Sequence, residues 1–299
     1  MIKYSNQMSI LDKLEKNQIL LSDGAWGTFL QATGLKPGEC PELWNVTRRG
    51  DVIKIAESYV EAGSDIIETN SFGGNRFKLS NYGLAERAYE LNKAAAEISR
   101  QAAGKERHVA GCVGPTGKIL IMGDVNEEQL YEAFKEQSIA LEEGGADIII
   151  IETMTSIDEA VIATKAAREN TKCIVICSMT FDGDAATGFN TMMGVSPSEM
   201  VVSLKEAGAH VVGSNCGNGI ENMIGIVKEI RKTDLNIPVI IQANAGVPEF
   251  VDGKTVFRES PGMMASFVPA LIEAGANIIG GCCGTTPAHI SAIRNSIRK

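Results

Sequence analysis

Four stretches of this chain are near copies of one another: EAGSDIIETNSF at 61–72, EGGADIIIIETMTS at 143–156, EAGAHVVGSNCG at 206–217 and EAGANIIGGCCGTTP at 273–287. Each ends a helical stretch on a glycine suited to a left-handed C-cap, turns, and enters a short apolar run rich in β-branched residues. A run so continuous and so brief is a strand buried on both faces, so the repeated unit is a helix feeding a parallel strand. Weaker copies at 18–27 (QILLSDGAWG), 107–117 (RHVAGCVGPTG), 172–181 (KCIVICSMTF) and 237–246 (IPVIIQANAG) bring the number of strands to eight. Amphipathic segments such as EEQLYEAFKEQSIALEEG and SIDEAVIATKAAREN lie between them. Eight strands alternating with helices predict an α/β fold, a (β/α)8 TIM barrel, in preference to an open doubly wound sheet.

No proline-rich or Gly/Ser-rich linker interrupts the series, and 299 residues suit one barrel, so residues 1–299 read as a single domain. Residues 1–17 are then a leading helix placed to cover the N-terminal mouth. With 44% hydrophobic and 22% charged residues the composition is that of a globular enzyme, not of a disordered or fibrous chain. A net charge of −9 argues against gripping phosphate backbones, so no nucleic-acid partner is expected. The first residues carry no signal-length apolar run and no stretch reaches a membrane span, which predicts a cytoplasmic protein without a membrane partner.

In a barrel the active site lies at the C-terminal ends of the strands. Those ends carry Asp23-Gly24, Glu68-Thr69-Asn70, Gly114-Pro115-Thr116, Glu152-Thr153, Thr180-Phe181, Asn215-Cys216, Asn244-Ala245-Gly246 and Cys282-Cys283. The seven cysteines are expected to be reduced. Cys112, Cys173 and Cys177 sit within or beside apolar strand segments and read as packing; Cys40 has no evident partner. Cys216, Cys282 and Cys283 fall on the ends of strands six and eight, close enough to converge. Neighbouring residues of a strand point to opposite faces, so Cys282 and Cys283 share a metal only if the chain bends, and Gly280, Gly281 and Gly284 permit that. Three thiolates leave one tetrahedral position of zinc open, the pattern of a catalytic site, and a thiol entering it would be deprotonated.

GGCCGTTP with the upstream Asn-Cys, the opening DGAWGT, the ETNSFGGN segment and the NAGVP turn together resemble the homocysteine S-methyltransferase family. Within it, they resemble the homocysteine-binding barrel of the cobalamin-dependent methionine synthases. The resemblance runs from about Leu20 to about Ile290, with the motifs in order on successive strands. It implies zinc on Cys216, Cys282 and Cys283, homocysteine or a similar thiol as acceptor, and methionine as product. It also implies Glu152 and Asn244 near the substrate amino group and the backbone of Gly27 and Thr28 at its carboxylate. Asp23 orients the first loop or meets the substrate, and Asn215 hydrogen-bonds ligand or backbone beside the metal. Glu152 and Glu68 have a rival reading as mouth carboxylates paired with Lys or Arg.

Gly284 resembles the corrinoid-using branch, which implies methylcobalamin as donor. The chain has no room for a cobalamin module, so the corrinoid would arrive on a separate protein. Donors left open are betaine, S-methylmethionine and S-adenosylmethionine; a non-catalytic zinc-binding subunit is a reading from another class. FDGDAATGFNTMMG departs from the family pattern. Met192 and Met193 in it read as gap-filling core, with contact to a donor or partner as the alternative. Ser214 is a milder departure.

Overall fold

A computed structural model of the chain describes residues 9–251 and 254–298. The eight strands are β1 (Leu20–Leu21), β2 (Ile66–Glu68), β3 (His108–Val113), β4 (Ile148–Met154), β5 (Ile174–Met179), β6 (Val211–Gly219), β7 (Val239–Asn244) and β8 (Ile278–Gly281). They pair in the order β1-β8-β7-β6-β5-β4-β3-β2, each neighbouring pair parallel. This is a nearly closed (β/α)8 barrel. After α1 (Ile10–Glu15) and α2 (Gly27–Thr33), the surrounding helices are α3 (Arg49–Ala62), α4 (Ala88–Ala103), α5 (Glu127–Glu143), α6 (Ile157–Asn170), α7 (Pro197–Glu206), α8 (Ile220–Thr233), α9 (Pro261–Ala274) and α10 (Pro287–Ile297).

The seam between β1 and β2 is closed by side chains as well as backbone. Asp65 N–H donates to the Leu21 carbonyl (2.7 Å), and Leu21 N–H donates back to Asp65 Oδ2 (2.9 Å). Farther along, Glu68 N–H donates to Asp23 Oδ2 (2.9 Å). Asp23 thus stands where a ladder rung would be, and satisfies a backbone donor that burial would otherwise leave costly.

Alternation along the strands separates two apolar layers. Inward residues, among them Leu20, Ile66, Cys112, Ile148, Ile150 and Ile278, form a cluster that Ile10 and Leu14 of α1 complete. Outward residues pack under the helices. The α1 segment is therefore seated on the floor of the barrel, held at its start by a capping box between Ser9 and Asp12. The rest of the expected leading helix, residues 1–8, lies outside the described residues. Among the described residues no helix is long and apolar enough to cross a membrane.

At that floor Lys13 Nζ donates to His108 Nε2 (3.3 Å). Burial, reinforced by the Lys13 charge, lowers the His108 pKa from 6.5 to about 4. The unfolded chain then takes up the proton first, so stability present above pH 6.5 is lost as the pH falls towards 4. The expected loss is roughly 3 kcal/mol, because each tenfold difference in proton affinity between folded and unfolded chain is worth about 1.4 kcal/mol. Thermal unfolding from pH 7 to 4.5 should show a smaller decline for His108→Gln than for the unchanged protein.

Candidate metal and substrate site

A cavity of about 280 Å³ opens at the C-terminal ends of the strands. Its walls include Gly24 to Thr28 from the first loop, Glu68 and Asn70 from the second, and Cys112, Glu152, Thr153, Cys216, Cys282 and Cys283. The Sγ atoms of Cys216, Cys282 and Cys283 all lie within 4.8 Å of one another. These three cysteines are partly exposed, whereas Cys40, Cys112, Cys173 and Cys177 are buried.

Local backbone explains how three sulfurs from two strands converge. Cys216 sits in the left-handed region (φ 59°) at an irregularity of β6 between Asn215 and Gly219, a conformation that costs a non-glycine residue of order 1–3 kcal/mol. Thr153 (φ 61°) stands at a matching irregularity of β4. Asn215 ties the two together: its Oδ1 accepts from Thr153 N–H (2.8 Å) and Ser178 Oγ (2.8 Å), and its Nδ2 donates to Thr153 Oγ1 (2.7 Å) and Glu152 Oε2 (3.0 Å). The same Nδ2 is 3.9 Å from Cys282 Sγ.

On the other side the chain leaves β8 at Gly281, and Cys282 and Cys283 enter a turn in which Thr285 N–H and Oγ1 both donate to the Cys282 carbonyl (3.1 and 2.7 Å). Gly284 carries φ 79°, and a Cβ there would lie 2.2 Å from the Phe257 ring. That position demands glycine here for packing reasons. Gly280 allows close approach, with Ser22 and the Asp23 carbonyl 2.7 and 2.9 Å from where its Cβ would be.

The donor set suits a soft cation. In a tetrahedral Zn–S₃ site with bonds near 2.3 Å, sulfurs stand about 3.8 Å apart, which the observed cluster accommodates. Without a cation, mutual repulsion opposes ionising three neighbouring thiols together. Hydrogen bonds from Cys282 and Cys283 pull Cys216 down to about 2, and the hydrogen bond with Cys216, helped by burial and the Cys216 charge, pushes Cys283 up to about 12. A cation is what would let all three ionise together. Asn244 also supports Cys216 by a side-chain hydrogen bond, and its Nδ2 donates to the Gly217 carbonyl (3.4 Å).

The other wall is acidic. Glu152 accepts from Cys112 Sγ on Oε1 (2.7 Å) and from Asn215 on Oε2. Glu68 accepts from Gln242 Nε2 (2.5 Å). Burial pushes Asp23 and Glu152 up to about 7 and Glu68 well above 4.5, a rise that the Glu152 and Asp23 charges add to for Glu68. The electrostatic surroundings of these three acids include no Lys or Arg among the described residues, so the pairing expected as the rival reading of Glu68 and Glu152 is absent there.

The expected site residues thus divide. Gly27, Thr28, Glu152 and the three cysteines line the cavity. Asp23 is fully buried in the β1–β2 seam, with Oδ2 also accepting from Trp26 Nε1 (3.0 Å) and Oδ1 unpartnered, and Asn215 and Asn244 stand behind the thiols. Cys112, read from sequence as packing, is at the cavity wall. Met192 and Met193 are exposed (80% and 51%), not core, beyond a hairpin of Asp182–Asp184 and Gly188–Asn190. His289 caps α10 through a box with Thr286. Ser214 is buried with an unpartnered Oγ, and nothing in the structure explains its choice.

Fold and site together define a class: a TIM barrel whose strand-end cavity sets a converging thiol triad opposite a buried carboxylate. Residues 20–297 match the family model for homocysteine S-methyltransferase, and the chain belongs to that family. It is 29% identical to a methionine synthase of Mycobacterium tuberculosis over 99% of its own length and 28% identical to one from Mycobacterium leprae over 94%. It spans only about a quarter of those proteins (26% and 24%). The metallated form of the homocysteine methyltransferase MmuM from Escherichia coli superposes with a TM-score of 0.77 at 25% identity, covering 94% of this chain and 97% of that one.

Proposed function

We propose that this chain transfers a methyl group to the thiol of homocysteine, giving methionine, with zinc held by Cys216, Cys282 and Cys283. The observation that carries the reading is the convergence of three thiols on one wall of a cavity whose other wall is a buried carboxylate. A zinc ion held by these three thiolates would supply the Lewis acidity that lowers the pKa of a substrate thiol. The chain's own groups do the rest. Glu152 takes the substrate ammonium, whose charge replaces the missing Lys or Arg and favours the carboxylate form. The N–H groups of Gly27 and Thr28, at the start of α2 where no side chain caps the turn, receive the carboxylate. Asn215 and Asn244 hold the sulfurs and Glu152 in place rather than touching substrate. Trp26 and Leu30 supply the apolar part of the lining.

For the donor we infer methylcobalamin on a separate corrinoid protein. The basis is the resemblance of the GGCCGTTP turn, with Gly284, to the corrinoid-using branch; the relatives called methionine synthase are matched over about a quarter of their length. Exposed apolar side chains on loops beyond the strand ends, Phe72, Met192, Met193, Val247 and Phe250, offer a surface for such a donor. Zinc-loaded protein given homocysteine and methylcobalamin should form methionine, read by chromatography. Parallel reactions with betaine, S-methylmethionine and S-adenosylmethionine complete the test. Methionine from one of these alone would replace the donor; methionine from none would overturn the proposed activity.

A further inference from the structure

We propose that Cys112 is a positioning residue for the acceptor's amino group: its thiol fixes the Glu152 carboxylate in the direction that receives the ammonium. The inference rests on the homocysteine reading and extends it to a residue that does not touch the reacting sulfur. The register places it there. Cys112 on β3 pairs with Ile150 on β4, and Glu152 lies two residues farther along β4, on the same inward face. Cys112 Sγ donates to Glu152 Oε1 at 2.7 Å, and both residues line the cavity.

The sulfur is itself held. Cys112 N–H donates to Thr69 Oγ1 (2.9 Å), and the Cys112 carbonyl accepts from Ser71 Oγ (2.6 Å), so the β2 loop clamps the backbone on both polar groups. Two other buried thiols are differently employed: Cys173, just before β5, donates to the Ala146 carbonyl (3.3 Å), and Cys177 on β5 lies in the layer between strands and helices. Glu152 is oriented by one neutral donor on each oxygen, Cys112 and Asn215. A lysine or arginine in either place would occupy the charge that the substrate must meet. Weak neutral donors fix direction and leave that charge available.

The test is calorimetric titration of the zinc-loaded protein with two thiols, homocysteine and 4-mercaptobutanoate, which keeps the thiol and carboxylate and lacks the amino group. Cys112→Ala should bind homocysteine about tenfold more weakly, the size expected for one hydrogen bond to a charged group, and bind 4-mercaptobutanoate as the unchanged protein does. Cys112→Ser, which keeps a donor, should recover most of the loss, with zinc content the same in all three proteins. Equal weakening for both thiols, no weakening for homocysteine, or zinc loss in Cys112→Ala would overturn the assignment. An unchanged protein that binds neither thiol would instead strike the homocysteine reading beneath it.

Discussion

Cys282→Ala should emerge without zinc and with methyl transfer to homocysteine lowered by about a thousandfold or more, the scale expected when several kcal/mol of metal assistance is lost. Two of the three sulfurs come from neighbouring residues of one turn, so removing Cys282 leaves two thiols where a soft cation needs at least three protein ligands. It also leaves Asn215 Nδ2 without the sulfur 3.9 Å away. Metal analysis by mass spectrometry alongside the activity assay reads both effects. Cys173→Ala, whose thiol bonds the Ala146 carbonyl at the opposite end of the barrel, serves as control and should keep zinc and activity. Retained stoichiometric zinc in Cys282→Ala would mean that the ligands lie elsewhere.

Glu152→Ala should raise the KM for homocysteine by about a hundredfold, since truncating one partner of a buried charge pair costs about 2–5 kcal/mol, while kcat changes less. The asymmetry follows from distance to the chemistry, since in the proposed binding mode Glu152 meets the amino end and the thiol triad meets the sulfur. Glu152→Gln should fall between, because an amide keeps an acceptor oxygen but lacks the charge. An unchanged KM in Glu152→Ala would remove this carboxylate from substrate recognition and leave the acidic wall without a role.

The barrel is legible in the sequence because its strands are buried on both faces and each is entered through the same helix, glycine and turn. The triad is legible because Cys216, Cys282 and Cys283 fall at strand ends, the part of the sequence where this fold exposes side chains to a ligand. What the strand pattern does not carry is how side chains join across strands. Asn215 gathers Thr153, Ser178 and Glu152 through contacts spanning dozens of residues in sequence, and the left-handed backbone of Thr153 and Cys216 has no composition to announce it. Cys112 resembles any thiol in an apolar strand; only the β3–β4 register brings it to Glu152. Asp23 reads as orienting the first loop or meeting the substrate, and its Oδ2 does accept from Trp26 in that loop; that the same oxygen also bridges the β1–β2 seam follows from the short β1 and is not visible in the sequence. Gly284 reads as informative about the donor; that φ 79° and the Phe257 ring also require glycine there is not visible in the sequence.

The central claim is that three cysteine sulfurs hold zinc and that the acceptor thiol joins them. X-ray absorption at the zinc edge, recorded with and without homocysteine, tests it most directly. The expected result is three sulfurs at about 2.3 Å with one lighter ligand in the free protein, and four sulfurs once homocysteine is added. Fewer than three sulfurs in the free protein, or a sulfur count that homocysteine leaves unchanged, would contradict it.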